Sequence, residues 1–223
     1  MPEIVGLIPA RGGSKAIPRK NLARVGGRPL LAWTVEAALS SARLTRVVVS
    51  TDDAEVAGVA RSLGAEVLDR PAELAADDTP MLDVVVDAFD RLGPCHALVL
   101  LQPTSPLRPA ADVDACVDLL LRVGADAVVS VVEVPHRFLP GSLMRLEDGR
   151  LVALDPDAPL RRQEKPALYA RNGPAVLALR PERLDPARGF YGGDVRAHVM
   201  GERESLDVDG PFELELADLL LRR

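Results

Sequence analysis

Short apolar runs alternate with amphipathic stretches along most of this 223-residue chain, and that alternation restricts the fold more than any other feature. "EIVGLI" at 3–8, "RVVVS" at 46–50, "HALVLLQ" at 96–102 and "DAVVSVVEV" at 126–134 are continuous and rich in branched residues, and "PAVLALR" at 174–180 repeats the pattern. Strands buried on both faces read this way. Between them, "PLLAWTVEAALSSA" places Leu30, Leu31, Thr34, Val35 and Ala38 near one helical face, with Pro29 suited to a first turn. Further helices are expected in "DDAEVAGVARSLGA", stopping near Gly64, in "PMLDVVVDAFDRLG" between Pro80 and Gly93, in "ADVDACVDLLLRVGA", and in the closing "PFELELADLLLRR".

The expected architecture is therefore α/β: one doubly wound, mostly parallel sheet, Rossmann-like, covered on both faces, with right-handed crossovers. Ligands of such sheets bind outside the carboxyl ends of the strands. The whole span 1–223 reads as one domain. Residues 135–172 differ, with Pro135, Pro140, Pro156, Pro159 and Pro166 and an "EDGR" turn between two short apolar runs. That segment reads as an inserted arm or hairpin without the apolar mass for its own core.

Composition narrows the function classes. The formal net charge is −6, which argues against nucleic acid or an anionic membrane as partner and makes a local basic cluster informative. Aromatic residues make up 3%, so few rings are available to stack on bases. Cys95 and Cys116 stand alone, with no metal-ligand spacing and no disulfide framework, which fits a reducing cytoplasm. No apolar stretch approaches the roughly 20 residues of a membrane span, and the amino terminus does not resemble a signal peptide.

The basic cluster is "PARGGSKAIPRKN", residues 9–21, directly after the first strand. Gly12 and Gly13 would give the backbone conformational freedom and let its N–H groups approach an anion, with Ser14 beside them. Arg11 offers a two-pronged grip on phosphate, and Lys15 and Lys20 act as point charges. The loop matches neither G-x-x-x-x-G-K-[ST] nor G-x-G-x-x-G. In "STDD", Asp52 reads as a nucleotide contact or a loop support, while Ser50, Thr51 or Asp52 reads equally as a helix cap. Arg70 would face phosphate or ribose; Asp78 or Thr79 reads as a cap before Pro80. "LLQPTSPLRP" is a proline-stiffened loop carrying Gln102, Thr104, Ser105 and Arg108 to a strand end, a setting for ligand recognition. Asp207 and Asp209 lie two apart on an extended stretch, so their carboxylates share a face and suit Mg²⁺, although Asp209 also stands where a helix cap would. Arg161, Arg162, Lys165 and Arg171 in and beside the arm read as an acidic-substrate surface or as a solvated face.

In their order, "PARGGSKAIPRKN", "STDD", "LLQPTSPLR", "RNG" and "LDVDGPFELELAD" resemble the acylneuraminate cytidylyltransferases, also called CMP-sialic acid synthetases, essentially over the whole chain. The related 3-deoxy-manno-octulosonate enzymes share the fold and a similar basic loop. The resemblance implies an enzyme that joins CMP from CTP to a nonulosonic acid and releases pyrophosphate, with Mg²⁺ as cofactor. It implies that Arg11, Lys15 and Lys20 hold the triphosphate beside Asn21, that Arg70 contacts the nucleotide and Gln102 the sugar, and that Asp207 and Asp209 bind the metal. Arg11, Lys20 and Asp209 would be catalytic. Phe190 and Tyr191 resemble an aromatic wall beside the sugar, and the region of Arg162 and Gln163 an arm reaching the neighbouring subunit of a homodimer. After "RNG" the chain places Val176 where the family often has an aromatic side chain near the sugar. The alternatives are another acidic sugar, another nucleotide donor, or a nucleotide-binding regulatory module without turnover.

Overall fold

A computed structural model describes residues 2–159 and 161–222. The chain opens with β1 (Ile4–Pro9), wholly buried, and then a basic turn. A small ribbon follows, of β2 (Arg24–Val25) and β3 (Arg28–Pro29). α1 (Leu30–Leu39) starts just past Pro29, which sits one residue outside the helix instead of in its first turn. Three α/β units continue the pattern: β4 (Arg46–Thr51) and α2 (Ala54–Ser62), β5 (Glu66–Asp69) and α3 (Met81–Leu92), β6 (Ala97–Leu100) and α4 (Ala110–Val123). β7 (Ala127–Glu133) leads into the arm, whose "EDGR" turn joins β8 (Met144–Glu147) to β9 (Arg150–Ala153). The chain returns through β10 (Tyr169–Arg171), β11 (Leu177–Leu179) and β12 (Val195–Met200), and ends in α5 (Pro211–Leu221).

Among the described residues the main sheet has eight strands. β1 lies between β4 and β6, parallel to both, and β5 extends the same parallel set beyond β4. β11 inserts antiparallel between β6 and β7. β12 runs parallel along Ala127–Val132 of β7, and β10 pairs antiparallel at Val131–Glu133. Side-chain alternation divides the strands between two cores. Ile8, Val49, Val99 and Val128 face Leu31, Val35, Val56 and Val117 of α1, α2 and α4. Leu7, Leu98, Leu100, Val129 and Leu177 face Val85 and Ala88 of α3. Doubly wound packing follows from that parity.

A third cluster has the most bearing on function. Ile17 from the basic turn, Val25 from the ribbon and Leu30 pack with Val208 and Ala217. The Gly26 N–H donates to Asp218 of α5 at 2.8 Å, and the Trp33 indole N–H donates to the Val25 carbonyl at 2.9 Å. Gly26 has φ +59°, and a Cβ there would meet Trp33 at 2.8 Å and Leu221 at 2.9 Å. The last helix is thereby clamped against the start of the chain.

The gap between β11 and β10 is filled by Asn172, which is 4% exposed. Its Oδ1 accepts from the Ser130 hydroxyl at 2.6 Å and from the Ala175 N–H at 3.3 Å. Its amide donates to the Ser205 hydroxyl at 2.9 Å and to the Met200 sulfur at 3.3 Å. One side chain thus joins β7, β12 and the segment that leads to Asp207. Asn172→Ala leaves several of these buried groups without a partner, at about 1–3 kcal/mol; the urea midpoint of unfolding should fall accordingly, with an unchanged m-value.

Candidate active site

The carboxyl ends of β1, β5 and β6 open on a cavity of about 180 Å³. Arg11, Gly13, Ser14, Lys20 and Asn21 line it from the basic turn, Gln102 and Thr104 from the proline-stiffened loop, and Arg70 from the end of β5, with Met81 at the start of α3. Eight of the residues expected from the sequence therefore share one cavity.

The turn is held from below by acids. The Gly12 N–H donates to Asp52 Oδ1 at 2.9 Å, so Asp52 supports the loop. The cap of α2 is neither Ser50, Thr51 nor Asp52: it is Asp53, whose carboxylate accepts from the N–H groups of Glu55 and Val56 at 2.9 Å. A Cβ on Gly12 would come within 2.7 Å of Asp53, so close approach explains this glycine. Gly13 has open space around it, and neither glycine takes a positive φ, so the expected conformational freedom is not what the turn uses. Arg19 is the residue in the left-handed region, at φ 52°, and pairs with Asp53 at 3.1 Å and Glu55 at 3.0 Å. Asn21 fixes the turn by donating to the Arg11 carbonyl at 2.9 Å.

Arg70 is 7% exposed and donates to the hydroxyl and carbonyl of Ser50 at 3.1 and 2.8 Å. Burial lowers its pKa, Asp52 opposes that, and Arg11 adds to it. Arg11 and Lys15 share the carboxylate of Asp77, at 2.6 and 3.0 Å. Lys15 first and then Arg11 hold that carboxyl below its usual range. The residue before α3 is Pro80, and neither Asp78 nor Thr79 caps the helix.

On the other side of the cavity, Lys20 Nζ donates to the Val208 carbonyl at 2.9 Å. Val208 is fully buried, and Asp207 and Asp209 flank it on an extended stretch. The Val208 N–H donates to the Thr104 carbonyl at 2.7 Å, which ties the acid pair to the proline-stiffened loop. Asp209 is exposed and does not cap α5; the cap is Gly210, whose N–H donates to Glu213 at 2.9 Å. Asp207 is largely buried, and its Oδ1 has no hydrogen-bond partner. Burial pushes its carboxyl pKa up, the Thr104 hydroxyl opposes this, Asp209 adds to it, and Lys20 opposes it.

Other expected residues lie apart from this cavity. Ser105 is 1% exposed, beside Gly173, with its hydroxyl unpartnered. Phe190 packs against the α3-side core, edge-on to Tyr191 at 6.3 Å, and Arg171 stacks over the Tyr191 ring at 4.6 Å. Gln163 is exposed in the arm, and the side chain of Arg162 lies outside the described residues. Val176 is fully buried among the core residues facing α1, α2 and α4 and does not line the cavity. Sequence reasoning missed Asp53, Asn172 and the pairing of Asp77. The two acids in "ADDTP" were visible, but the partners of Asp77 lie more than sixty residues earlier.

A family model described as cytidylyltransferase matches residues 5–200. The N-acylneuraminate cytidylyltransferase of Escherichia coli O18:K1:H7 is 33% identical over 217 residues, 96% of this chain and 51% of that protein. The CMP-N,N'-diacetyllegionaminic acid synthase of Legionella pneumophila is 33% identical over 228 residues, 98% of this chain and 96% of that protein. The chain thus spans about half the length of the first relative and nearly all of the second. Among solved structures, a CMP:2-keto-3-deoxy-manno-octonic acid synthetase complexed with CTP is similar, with a TM-score of 0.74, 20% identity and 98% of each chain covered; at that identity the likeness speaks for the fold alone. Carried by the family match along 5–200 and by relatives similar along nearly its whole length, this chain belongs to the cytidylyltransferase family.

Proposed function

We propose that this protein transfers CMP from CTP to a nonulosonic, sialic-type acid and releases pyrophosphate. The observation that carries the reading is the bond from Lys20 to the Val208 carbonyl, which joins the cationic turn to the acid pair across 188 residues. The names of the two relatives support an acidic nine-carbon sugar without choosing between sialic and legionaminic types.

Phosphoryl transfer asks a protein mainly for positioning and charge compensation. The anomeric hydroxyl of the sugar attacks the α-phosphate in line, and negative charge builds on that phosphate and on the departing pyrophosphate. Arg11 and Lys15 receive the outer phosphates, and Lys20 stands nearest the acid pair, where the α-phosphate belongs. Arg70, locked on Ser50, contributes a fixed positive charge at the base of the cavity. Gln102 faces the same cavity from the opposite loop and orients the sugar.

Magnesium is the cofactor of this reading. Asp207 and Asp209 would hold it, and the unpartnered, desolvated Oδ1 of Asp207 suits a hard cation. Among the described residues no group of three or more His, Cys, Asp or Glu gathers, so phosphate oxygens and water would complete the coordination. When bound, the ion would neutralise part of the triphosphate charge and make a coordinated hydroxyl more acidic. A regulatory module that only bound nucleotide would have no use for a desolvated Asp207 beside a second carboxylate.

The arm suggests a homodimer. Its hairpin exposes Met144, Leu146, Leu151 and Leu154, and Leu146 and Leu151 are 72% and 69% exposed. A second copy covering this face would bring Gln163 and Arg162 to its neighbour's site. Free Cys95 and Cys116 suit the cytoplasm, and no helix among the described residues is long and apolar enough to cross a membrane.

Pyrophosphate release from Mg²⁺, CTP and a panel of nonulosonic acids, with ATP, GTP and UTP as rival donors, tests the reaction. Lys20→Ala or Asp209→Ala should lower turnover at least ~100-fold at saturating CTP, the scale of losing one charge-stabilising group; near wild-type turnover in either overturns the site.

Asp207 gives a test without turnover. Its native pKa is raised, so its ionised form is disfavoured by folding: the native state gains relative stability only where the carboxyl is protonated and loses it as pH rises through that raised value. Asp207→Asn should therefore raise the metal-free melting temperature at pH 7 by about 2–4 °C, the shift ~1 kcal/mol gives in a chain of this size. The gain should vanish at acid pH, and Mg²⁺ with CTP should stabilise the wild type but not the variant. Leu146→Glu with Leu151→Glu should give a monomer by light scattering where the wild type is dimeric.

A further inference from the structure

We propose that Asp77 is a built-in counter-anion of the triphosphate site, a residue that sets triphosphate affinity by competing for the same cations. This rests on the reading of the cationic turn as the place where the triphosphate binds. One carboxylate meets both cations: Oδ1 reaches Arg11 at 2.6 Å and Oδ2 reaches Lys15 at 3.0 Å. A phosphate group bridging those side chains would use the same donors, so the two anions exclude one another.

The segment that carries Asp77 is built to swing. It begins after Arg70 and ends at Met81, and both of those residues line the cavity. Its inner bonds, such as the Thr79 hydroxyl to the Glu73 carbonyl at 3.3 Å, stay within the segment. Among the described residues, its polar links to the basic turn are the two ion pairs and a longer bond from Arg11 to the Ala75 carbonyl at 3.4 Å. Lys15 is 80% exposed and Asp77 38%, so these pairs are screened and break readily. Displacement of Asp77 opens the mouth of the site to nucleotide, and its return helps the pyrophosphate leave. Asp78, next in the chain, is exposed and forms no ion pair among the described residues, which makes it the natural control.

The test is calorimetric titration of the full chain with inorganic pyrophosphate, and with CTP, in the presence of Mg²⁺. Asp77→Asn should bind both about 3- to 10-fold more tightly than the wild type, the range that two partly exposed ion pairs allow. Asp77→Glu should stay within about 2-fold of the wild type, and Asp78→Asn should shift binding far less than Asp77→Asn. Equal or weaker binding by Asp77→Asn overturns the inference while the triphosphate site stands. An equal gain in Asp78→Asn also overturns it, because general charge then explains the effect. If the wild type binds neither probe, the triphosphate reading fails and this inference fails with it.

Discussion

The site depends on the clamp between the two ends of the chain. Lys20 can donate to the Val208 carbonyl only because Val208 itself is buried with Ile17, Val25, Leu30 and Ala217. Hydrophobic burial is non-directional, yet here it fixes direction. Val208 points inward, and the aspartates on either side of it differ: Asp207 is largely buried with its Oδ1 unpartnered, and Asp209 is exposed. An apolar cluster formed by the turn, the ribbon and the last helix therefore fixes the backbone between the two acids beside Lys20, which lines the cavity. Full burial of a valine contributes about 1.5–3 kcal/mol, enough to outweigh holding one carboxylate in poor solvation.

Among the described residues, several buried polar atoms go without partners: the Ser105 hydroxyl, two nitrogens of Arg108 and Asp207 Oδ1. Arg108 is 2% exposed, and burial lowers its pKa to about 10. Its one satisfied nitrogen donates to the carbonyls of Gln102 and Ala175, at 3.3 and 2.6 Å, and so ties the proline-stiffened loop to the residues just before β11. Unsatisfied buried groups cost about 1–3 kcal/mol each, and their concentration here means that the strand ends carry a local destabilisation the two cores offset. Rigidity of that loop is what the chain gains, since Gln102 and Thr104 are then held in place before any ligand arrives.

The parallel core was legible because its strands are apolar on both faces and its helices carry one apolar face each. The strands that were missed obey different rules. β12 carries Arg196 and His198, and the His198 ring is held by Asp112 of α4 at 2.9 Å, so its polar residues find partners that a single strand does not reveal. β5 is four residues long and only half-buried at its two central positions. Site residues followed the same division. Arg11, Lys20, Gln102 and the acid pair stand at strand ends or in marked motifs, whereas the role of Asn172 arises from partners 28 to 42 residues away. Asp53 against Asp52 as the cap was a one-residue choice, settled by which carboxylate faces the open N–H groups of α2 and which faces Gly12.

A protein of net charge −6 can carry a basic turn because each cation there is matched locally. Arg11 and Lys15 meet Asp77, Arg19 meets Asp53 and Glu55, and Lys20 meets a carbonyl beside Asp207. Ligand binding at such a turn is an exchange of anions, not the filling of an uncompensated field. Its free energy is then a difference between two sets of ion pairs, smaller than the count of charges suggests. For the proposed triphosphate, that difference would favour a polyanion able to engage Arg11, Lys15 and Lys20 at once over any single carboxylate, which engages two. On the proposed reading, selectivity for a triphosphate over lesser anions would follow from the number of cations spanned rather than from the strength of any one contact.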